Sequence, residues 1–179
     1  MKKEVEIKIL NIDPRKLRVS LKKLRGVQVL KRTFMRELYF ESPTKERLYS
    51  SFRLRAEGQK SFLTLKLKKE DKKFSIRNEY EVEVSDFKTA RSILELAGFK
   101  VFRKREKKRE SYRVGHVRIE IDEYPKMRPY MEIEASSKEK IEKFLKKMGF
   151  NLEHATKKAA TEVIRDAGLN PDNLTFSKK

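Results

Sequence analysis

The chain has 179 residues, with 46 Lys or Arg against 27 Asp or Glu, and its formal net charge at pH 7 is +19. An excess of this size favours a polyanionic partner, such as nucleic acid, an acidic membrane surface or a multiply phosphorylated small molecule. The absence of Cys excludes disulfides, thiolate catalysis and Cys-ligated zinc. The chain contains no long apolar segment, so we expect a soluble, cytoplasmic protein built on one main domain.

The first predicted element is a strand in the segment MKKEVEIKIL, in which charged and apolar residues alternate. Alternate side chains of a strand share a face, so Glu4, Glu6 and Lys8 lie together and the apolar residues lie on the opposite face. An exposed edge strand has the same pattern. This segment alone therefore does not separate a solvated surface from a functional site.

A carboxylate-rich strand followed by an amphipathic helix occurs three times along the chain. The helices are predicted to begin after Asp13, after Asp86 and after Ser136, and each is followed by a glycine that ends it. In the third helix, Ser136 and Glu139 have the spacing of a capping box. Three helices are thus available to cover the apolar faces of the strands.

Further alternating segments lie between these units, and their polar faces carry both cations and carboxylates. Each segment alternates polar and apolar residues with the period of two that is typical of a strand covered on one face. The polar-face residues that we single out are Tyr39, Arg53, Arg55, Lys66, Lys68, Arg77, Glu79, Glu81, Lys107, Arg109, Asp122, Glu132 and Glu134.

About eight strands can be counted from these patterns, which is enough for antiparallel strands to close into a barrel. If the sheet stayed open, its polar face would be ordinary solvated surface. If it closes, the charges line an interior, where they are costly unless cations hold anions and carboxylates hold metal ions. We therefore predict an α+β protein: a closed eight-stranded antiparallel β-barrel with helices packed outside.

The charged motifs resemble those of the CYTH superfamily, also called triphosphate tunnel metalloenzymes, which includes class IV adenylate cyclases and thiamine and inorganic triphosphatases. The family's N-terminal ExExK signature is matched by Glu4, Glu6 and Lys8, and its paired arginines by Arg53 and Arg55. The resemblance runs in the family's order over residues 1–168, and residues 169–179 are expected to form a mobile C-terminal tail.

Later strands match further motifs of the same family. Its RxExE strand is matched by Arg77, Glu79 and Glu81, and its KxR strand by Lys107 and Arg109. The other matching positions are Lys66, Lys68, Tyr112, Asp122, Glu132 and Glu134.

The resemblance implies a tunnel that binds a triphosphate through arginine and lysine side chains, with Mg²⁺ or Mn²⁺ held by carboxylates. Glu4, Glu6 and Lys8 are the expected catalytic residues, and Glu79, Glu81 and Tyr39 the supporting ones. The expected triphosphate-binding residues are Arg53, Arg55, Lys66, Lys68, Arg77, Lys107 and Arg109. The expected metal ligands are Glu4, Glu6, Asp122, Glu132 and Glu134.

The resemblance implies two functions, and the net charge suggests a third. The first is metal-dependent hydrolysis of inorganic tripolyphosphate or of a nucleoside or thiamine triphosphate. The second is the class IV adenylate cyclase reaction, which makes cyclic AMP from ATP. The third is non-catalytic binding of RNA or polyphosphate, but it gives no reason for the alternating carboxylates. We expect nucleic acid to bind only through non-specific electrostatics, and the protein to be a monomer or homodimer.

Overall fold

The computed structural model describes residues 2–44, 49–69 and 73–176, with the backbone alone described at residues 2–4, 68 and 69. The strands are β1 Lys2–Ile9, β2 Val27–Glu41, β3 Ser51–Glu57, β4 Lys60–Lys69, β5 Ser75–Val84, β6 Lys100–Val114, β7 Val117–Glu123, β8 Tyr130–Ala135, β9 Ala155–Thr156 and β10 Asn173–Leu174. The helices are α1 Pro14–Lys22, α2 Phe87–Leu96, α3 Lys138–Lys147 and α4 Ala160–Asp166, with a 3₁₀ turn at Leu152–His154.

Eight antiparallel strands form a closed barrel in the order β6-β2-β3-β4-β5-β1-β8-β7, and β7 pairs with β6 to complete the circle. The predicted barrel is therefore confirmed. The short strands β9 and β10 lie outside this circle and pair with β1 and β6 respectively. Closure leaves no free barrel edge and separates an interior from an outer surface.

The alternation in β1 divides its side chains between these two environments. Ile7 is fully buried in an outer hydrophobic cluster that also contains Leu21 of α1 and Phe144 of α3. Lys8, the next residue, is 2% exposed and lines the cavity inside the barrel. A second apolar cluster lies under α2, where Leu94 packs with residues of β2 and β3. The predicted helices therefore cover the barrel from outside and leave the charges to its interior.

The first two helices begin as their sequences predict. The Asp13 carboxylate accepts hydrogen bonds from the backbone N–H groups of Arg15 and Lys16, and the Asp86 carboxylate accepts one from Thr89. These bonds satisfy amide groups that have no partner within the first turn.

The capping box predicted for the third helix is wrong. Ser137, rather than Ser136, is the N-cap of α3, and its side chain makes no capping hydrogen bond. The Ser136 hydroxyl instead accepts a hydrogen bond from Lys140 at 2.7 Å.

The described part of the predicted C-terminal tail contacts the barrel. Asn173 and Leu174 form β10, which runs parallel to β6, and Leu174 is buried beside Ile164 of α4. Within the described part of the predicted tail, residues 169–176, the chain thus packs against the barrel, whereas residues 177–179 lie outside the described ranges. Among the described residues, no helix combines the length and apolar character needed to span a membrane.

Candidate active site in the barrel interior

The barrel encloses a cavity of about 1150 Å³. Among the described residues that line it, twelve are basic and eight are acidic, which leaves an excess of four positive charges. The predicted site residues that line this cavity are Glu6, Lys8, Tyr39, Arg53, Arg55, Lys66, Arg77, Glu79, Glu81, Lys107, Arg109, Glu132 and Glu134. The side chains of Glu4 and Lys68 lie outside the described part of the structure.

A buried lysine joins two carboxylates at one wall of the cavity. The Lys8 Nζ atom lies 3.2 Å from Glu6 Oε1 and 3.1 Å from Glu132 Oε2, and Arg77 also binds Glu6. The arrangement follows from register, because β1 pairs with β8 so that Lys8 faces Glu132 and Glu6 faces Glu134. Three carboxylates of this wall are thus brought together on two neighbouring strands.

The charges of this wall are strongly coupled. Burial raises the pKa of the Glu6 carboxyl, but the positive charges of Lys8 and Arg77 outweigh it and leave the pKa below its usual value. Burial likewise raises the pKa of Glu132, and Lys8 and Arg109 hold it well below the usual range. Burial lowers the pKa of Lys8, but Glu132 and Glu6 raise it overall. All three groups are therefore charged at neutral pH.

The same wall has the donor chemistry for a hard divalent cation. Within residues 2–44, 49–69 and 73–176, no three acidic or His side chains are already placed to hold a metal ion. Glu6, Glu132 and Glu134 nevertheless offer carboxylate oxygens to one cavity, and the backbone register places Glu4 on the same face two residues before Glu6. Carboxylate oxygens suit Mg²⁺ and Mn²⁺, so the residues fit such an ion if it replaces the Lys8 and Arg77 contacts.

Asp122 lies behind the cavity wall. It is fully buried and is not among the described residues that line the cavity. Its oxygens accept hydrogen bonds from Arg109 at 2.5 and 2.6 Å and from Lys107 at 3.0 Å. This placement favours a role for Asp122 in holding the two cations, and its role as a metal ligand stays a prediction.

Two arginines of β3 line the cavity, and their guanidinium groups do not form all the hydrogen bonds that they could. Arg53 donates to Glu37 at 2.9 Å, but its Nε atom is buried without a hydrogen-bond acceptor among the described residues. The Arg55 Nε atom lies 3.2 Å from a Glu57 carboxylate oxygen, although this ion pair lacks hydrogen-bond geometry. Burial and the adjacent charge of Arg53 lower the pKa of Arg55 to about 10, despite the partial compensation from Glu81. An anion beside these guanidinium groups would supply both charge and hydrogen-bond acceptors.

The acidic residues predicted to play a supporting role contact cations of the cavity. Glu79 accepts a hydrogen bond from Lys66 at 3.0 Å. Glu81 accepts one from the Thr64 hydroxyl at 2.8 Å and one from Arg55 at 3.3 Å. These contacts fix the directions of side chains on β3 and β4.

Two charged residues of the interior were assigned no role in the site from the sequence. Glu37 is 1% exposed and accepts hydrogen bonds from Arg53 and from the Tyr39 hydroxyl, and Glu120 binds Arg109. Their alternation with apolar residues places both on the polar faces of their strands, but it does not show which cations they contact. Lys157 and the start of α4 also line the cavity, but their sequence carries no strand alternation that would have placed them there.

A family model of the CYTH domain matches residues 2–165. The chain is 33% identical over 135 residues to the "Putative adenylate cyclase" of Methanocaldococcus jannaschii, an alignment that covers 74% of this chain and 77% of that protein.

Solved structures show the same fold. A conserved hypothetical protein from Pyrococcus furiosus has a TM-score of 0.74 and 26% identity, with 90% of this chain and 99% of that chain covered. A "Putative adenylyl cyclase" from Hippeastrum, with a dominant triphosphatase activity, has a TM-score of 0.66 and 19% identity, with 94% and 97% covered. From the match of the family model over residues 2–165, the chain belongs to the CYTH domain family.

Proposed function

We propose that the protein is a divalent-metal-dependent phosphohydrolase, which removes the terminal phosphate from a triphosphate compound bound inside the barrel. The observation that carries this proposal is the excess of cations among the described residues that line the barrel cavity, together with the buried Nε atom of Arg53, which has no acceptor among the described residues. A triphosphate carries about four negative charges, and arginine and lysine groups around it would compensate them. Inorganic tripolyphosphate is our first choice of substrate.

The residues of the cavity divide into two groups by the chemistry they offer. Arg53, Arg55 and Lys66 would bind and orient phosphate oxygens from one side, and Lys107 and Arg109 would do so from β6. The carboxylates that would hold the metal are Glu4, Glu6, Glu132 and Glu134. When bound, Mg²⁺ or Mn²⁺ would offset the charge on the phosphate oxygens during transfer.

Lys8 would compensate part of the negative charge of these carboxylates. Its ammonium already contacts both Glu6 and Glu132. With a metal ion present, the same ammonium would be free to donate to a phosphate oxygen. Carboxylates that meet at one wall repel one another unless a cation compensates them, which is what a metal site provides. Binding of RNA alone would give no reason for these carboxylates.

The class IV adenylate cyclase reaction is the second candidate, favoured by the name of the Methanocaldococcus jannaschii relative. Both reactions use a triphosphate and a metal ion in the same tunnel, and they differ in whether water or the ribose 3′-hydroxyl attacks. The charged residues of the cavity serve either reaction equally.

The test is a screen of tripolyphosphate, ATP, GTP and thiamine triphosphate with Mg²⁺ and with Mn²⁺, in which released phosphate and cyclic nucleotide are both measured. Phosphate release that needs the metal supports hydrolysis. Cyclic AMP and pyrophosphate from ATP would replace the proposal with the cyclase reaction. No product from any substrate with either metal would contradict both.

A further inference from the structure

We infer that Arg105 forms an additional anion-binding position in the cavity, where β6 meets the start of α4, and that it binds a phosphate group at one end of the substrate. The inference rests on the proposed function for the identity of that substrate. Arg105 lies two residues before Lys107 on β6, outside the motifs that the sequence predicts to bind phosphate.

Arg105 is a buried cation whose partners are all neutral. Its side chain lines the cavity, yet the residue is only 2% exposed. The Nε atom donates to the Pro171 carbonyl at 2.7 Å, Nη2 donates to the Thr161 hydroxyl at 2.7 Å, and the guanidinium lies over the Tyr39 ring, 5.2 Å from its centroid. Among the residues whose side chains are described, Arg105 forms no ion pair, and its hydrogen bonds go to these neutral groups. A buried charge without a counter-charge is costly, which makes this position attractive to an anion.

The other cations near Arg105 also favour binding of an anion at this position. Glu37 is the carboxylate of this region, and its oxygens already accept from Arg53 and from Tyr39. Burial raises the pKa of Glu37, but Lys107, Arg53, Arg55 and Arg105 together lower it far below its usual value. Of these four cations, Arg53 pairs with Glu37, Arg55 pairs with Glu57 and Glu81, and Lys107 pairs with Asp122. Arg105 is the member of the four without an ion pair among the described residues.

Arg103 provides a matched comparison on the same strand. It also lines the cavity, lies over the Tyr39 ring at 5.4 Å and donates to Thr161 at 3.2 Å. Its Nε atom, however, binds Asp172 at 2.6 Å, so its charge is compensated within the protein. The two arginines differ mainly in this counter-charge, and a substrate phosphate would supply it to Arg105.

The test compares the dissociation constants of tripolyphosphate for the wild type, Arg105→Gln, Arg103→Gln and Arg105→Lys, by calorimetric titration in EDTA. We expect Arg105→Gln to weaken binding by about tenfold or more, because a charged hydrogen bond to phosphate is lost. The dissociation constants of Arg103→Gln and Arg105→Lys should stay within about threefold of the wild-type value. Arg103→Gln removes a charge that Asp172 already compensates, and Arg105→Lys keeps the positive charge.

Two results would overturn the inference. The first is binding by Arg105→Gln within about threefold of the wild type. The second is equal weakening in Arg105→Lys and Arg105→Gln. Lysine keeps the charge but cannot make both the Pro171 and Thr161 contacts. Equal weakening would therefore mean that Arg105 acts through the position of α4. If Arg105→Gln does not fold, the Arg105→Lys result decides alone, with weakening beyond about tenfold as the contradicting outcome.

The same titration separates this inference from the proposed function. Weakened binding by Arg105→Gln together with no metal-dependent turnover by the wild type would retain the anion position and reject hydrolysis. Metal-dependent turnover together with unchanged binding by Arg105→Gln would retain hydrolysis and reject the position. A wild type that binds no tripolyphosphate would contradict both.

Discussion

Lys8 on β1 lies directly opposite Glu132 on β8, and its ammonium is 3.1 Å from the Glu132 carboxylate inside the barrel. The same ammonium contacts Glu6 at 3.2 Å. A lysine that is only 2% exposed thus joins two carboxylates that would otherwise repel each other. The first strand of the chain therefore contributes both signs of charge to the candidate active site.

We predict that Glu6→Gln removes most of the turnover and leaves the fold and tripolyphosphate binding intact. The substitution keeps the size of the side chain but removes a charge that would help to hold the metal, and we expect turnover to fall about 100-fold or more. Lys8 retains Glu132 as its partner, so the barrel should still fold. Steady-state kinetics over a range of Mg²⁺ concentrations measures the effect.

Glu83→Gln is the matched control for that variant. Glu83 belongs to the same kind of alternating strand, but its side chain is 52% exposed, pairs with Lys60 and does not line the cavity. We expect the control to retain wild-type turnover. Full metal-dependent turnover by Glu6→Gln would show that Glu6 has no catalytic role and that the alternation in β1 does not indicate an active site.

Asp122→Asn should destabilise the fold strongly. The Asp122 carboxylate is fully buried and binds both Arg109 and Lys107, so its neutralisation removes the counter-charge closest to Lys107 and one of the counter-charges of Arg109. Breaking a buried ion pair from one side typically costs about 3–5 kcal/mol. Urea denaturation measures the change in the free energy of unfolding.

The matched control for this loss is Asp166→Asn. Asp166 is 52% exposed and pairs with Lys158, so its removal should change the free energy of unfolding by no more than about 1 kcal/mol. Equal losses in the two variants would contradict the placement of Asp122 as the buried counter-ion of β6.

The stability of the protein should depend on pH through Glu6. The pKa of Glu6 in the folded protein lies below its ordinary value of 4.5, because Lys8 and Arg77 outweigh the effect of burial. A lowered folded-state pKa contributes stability above the unfolded-state pKa, and this contribution is lost as the pH falls through the folded-state value. The free energy of unfolding of the wild type, measured relative to Glu6→Gln, should therefore be largest near neutral pH and decrease below about pH 4.5. An unchanged difference between pH 7 and pH 3 would contradict this coupling.

Tripolyphosphate should stabilise the wild type more than it stabilises Arg55→Gln. A ligand that binds only the folded state at 100 times its dissociation constant adds about 2.7 kcal/mol to the free energy of unfolding. Arg55 lines the cavity, and burial and the adjacent charge of Arg53 lower its pKa to about 10, so its loss removes a cation whose charge the ligand would compensate. The shift in melting temperature on addition of ligand measures this difference.

Arg36→Gln is the control for Arg55→Gln, because the Arg36 side chain is 68% exposed and pairs loosely with Glu106 at 3.6 Å. It should show the full ligand-induced shift. The same shift in all three proteins would mean that the ligand binds outside the barrel.

Alternation along β1 was enough to predict that Glu6 and Lys8 face away from the helices, because a strand has a period of two residues. The sequence did not reveal which cations are already compensated, because ion pairs depend on strand register and on residues distant in the chain. Arg103 and Arg105 occupy equivalent positions of one alternating strand, yet only Arg103 meets Asp172. Asp122 was likewise recognised as acidic and inward-facing, but its enclosure by two cations of β6 arises only when β6 pairs with β7.

The measurement that tests the central proposal most directly is ³¹P NMR of tripolyphosphate incubated with the wild-type protein and Mg²⁺ or Mn²⁺. We predict that orthophosphate and pyrophosphate form in equimolar amounts, so that the pyrophosphate signal, which comes from two phosphorus atoms, has about twice the area. We also predict that EDTA stops their formation and that Glu6→Gln produces neither at a comparable rate. An unchanged tripolyphosphate spectrum with both metals, or equal product formation in EDTA, would contradict the assignment of the barrel interior as a metal-dependent triphosphatase site.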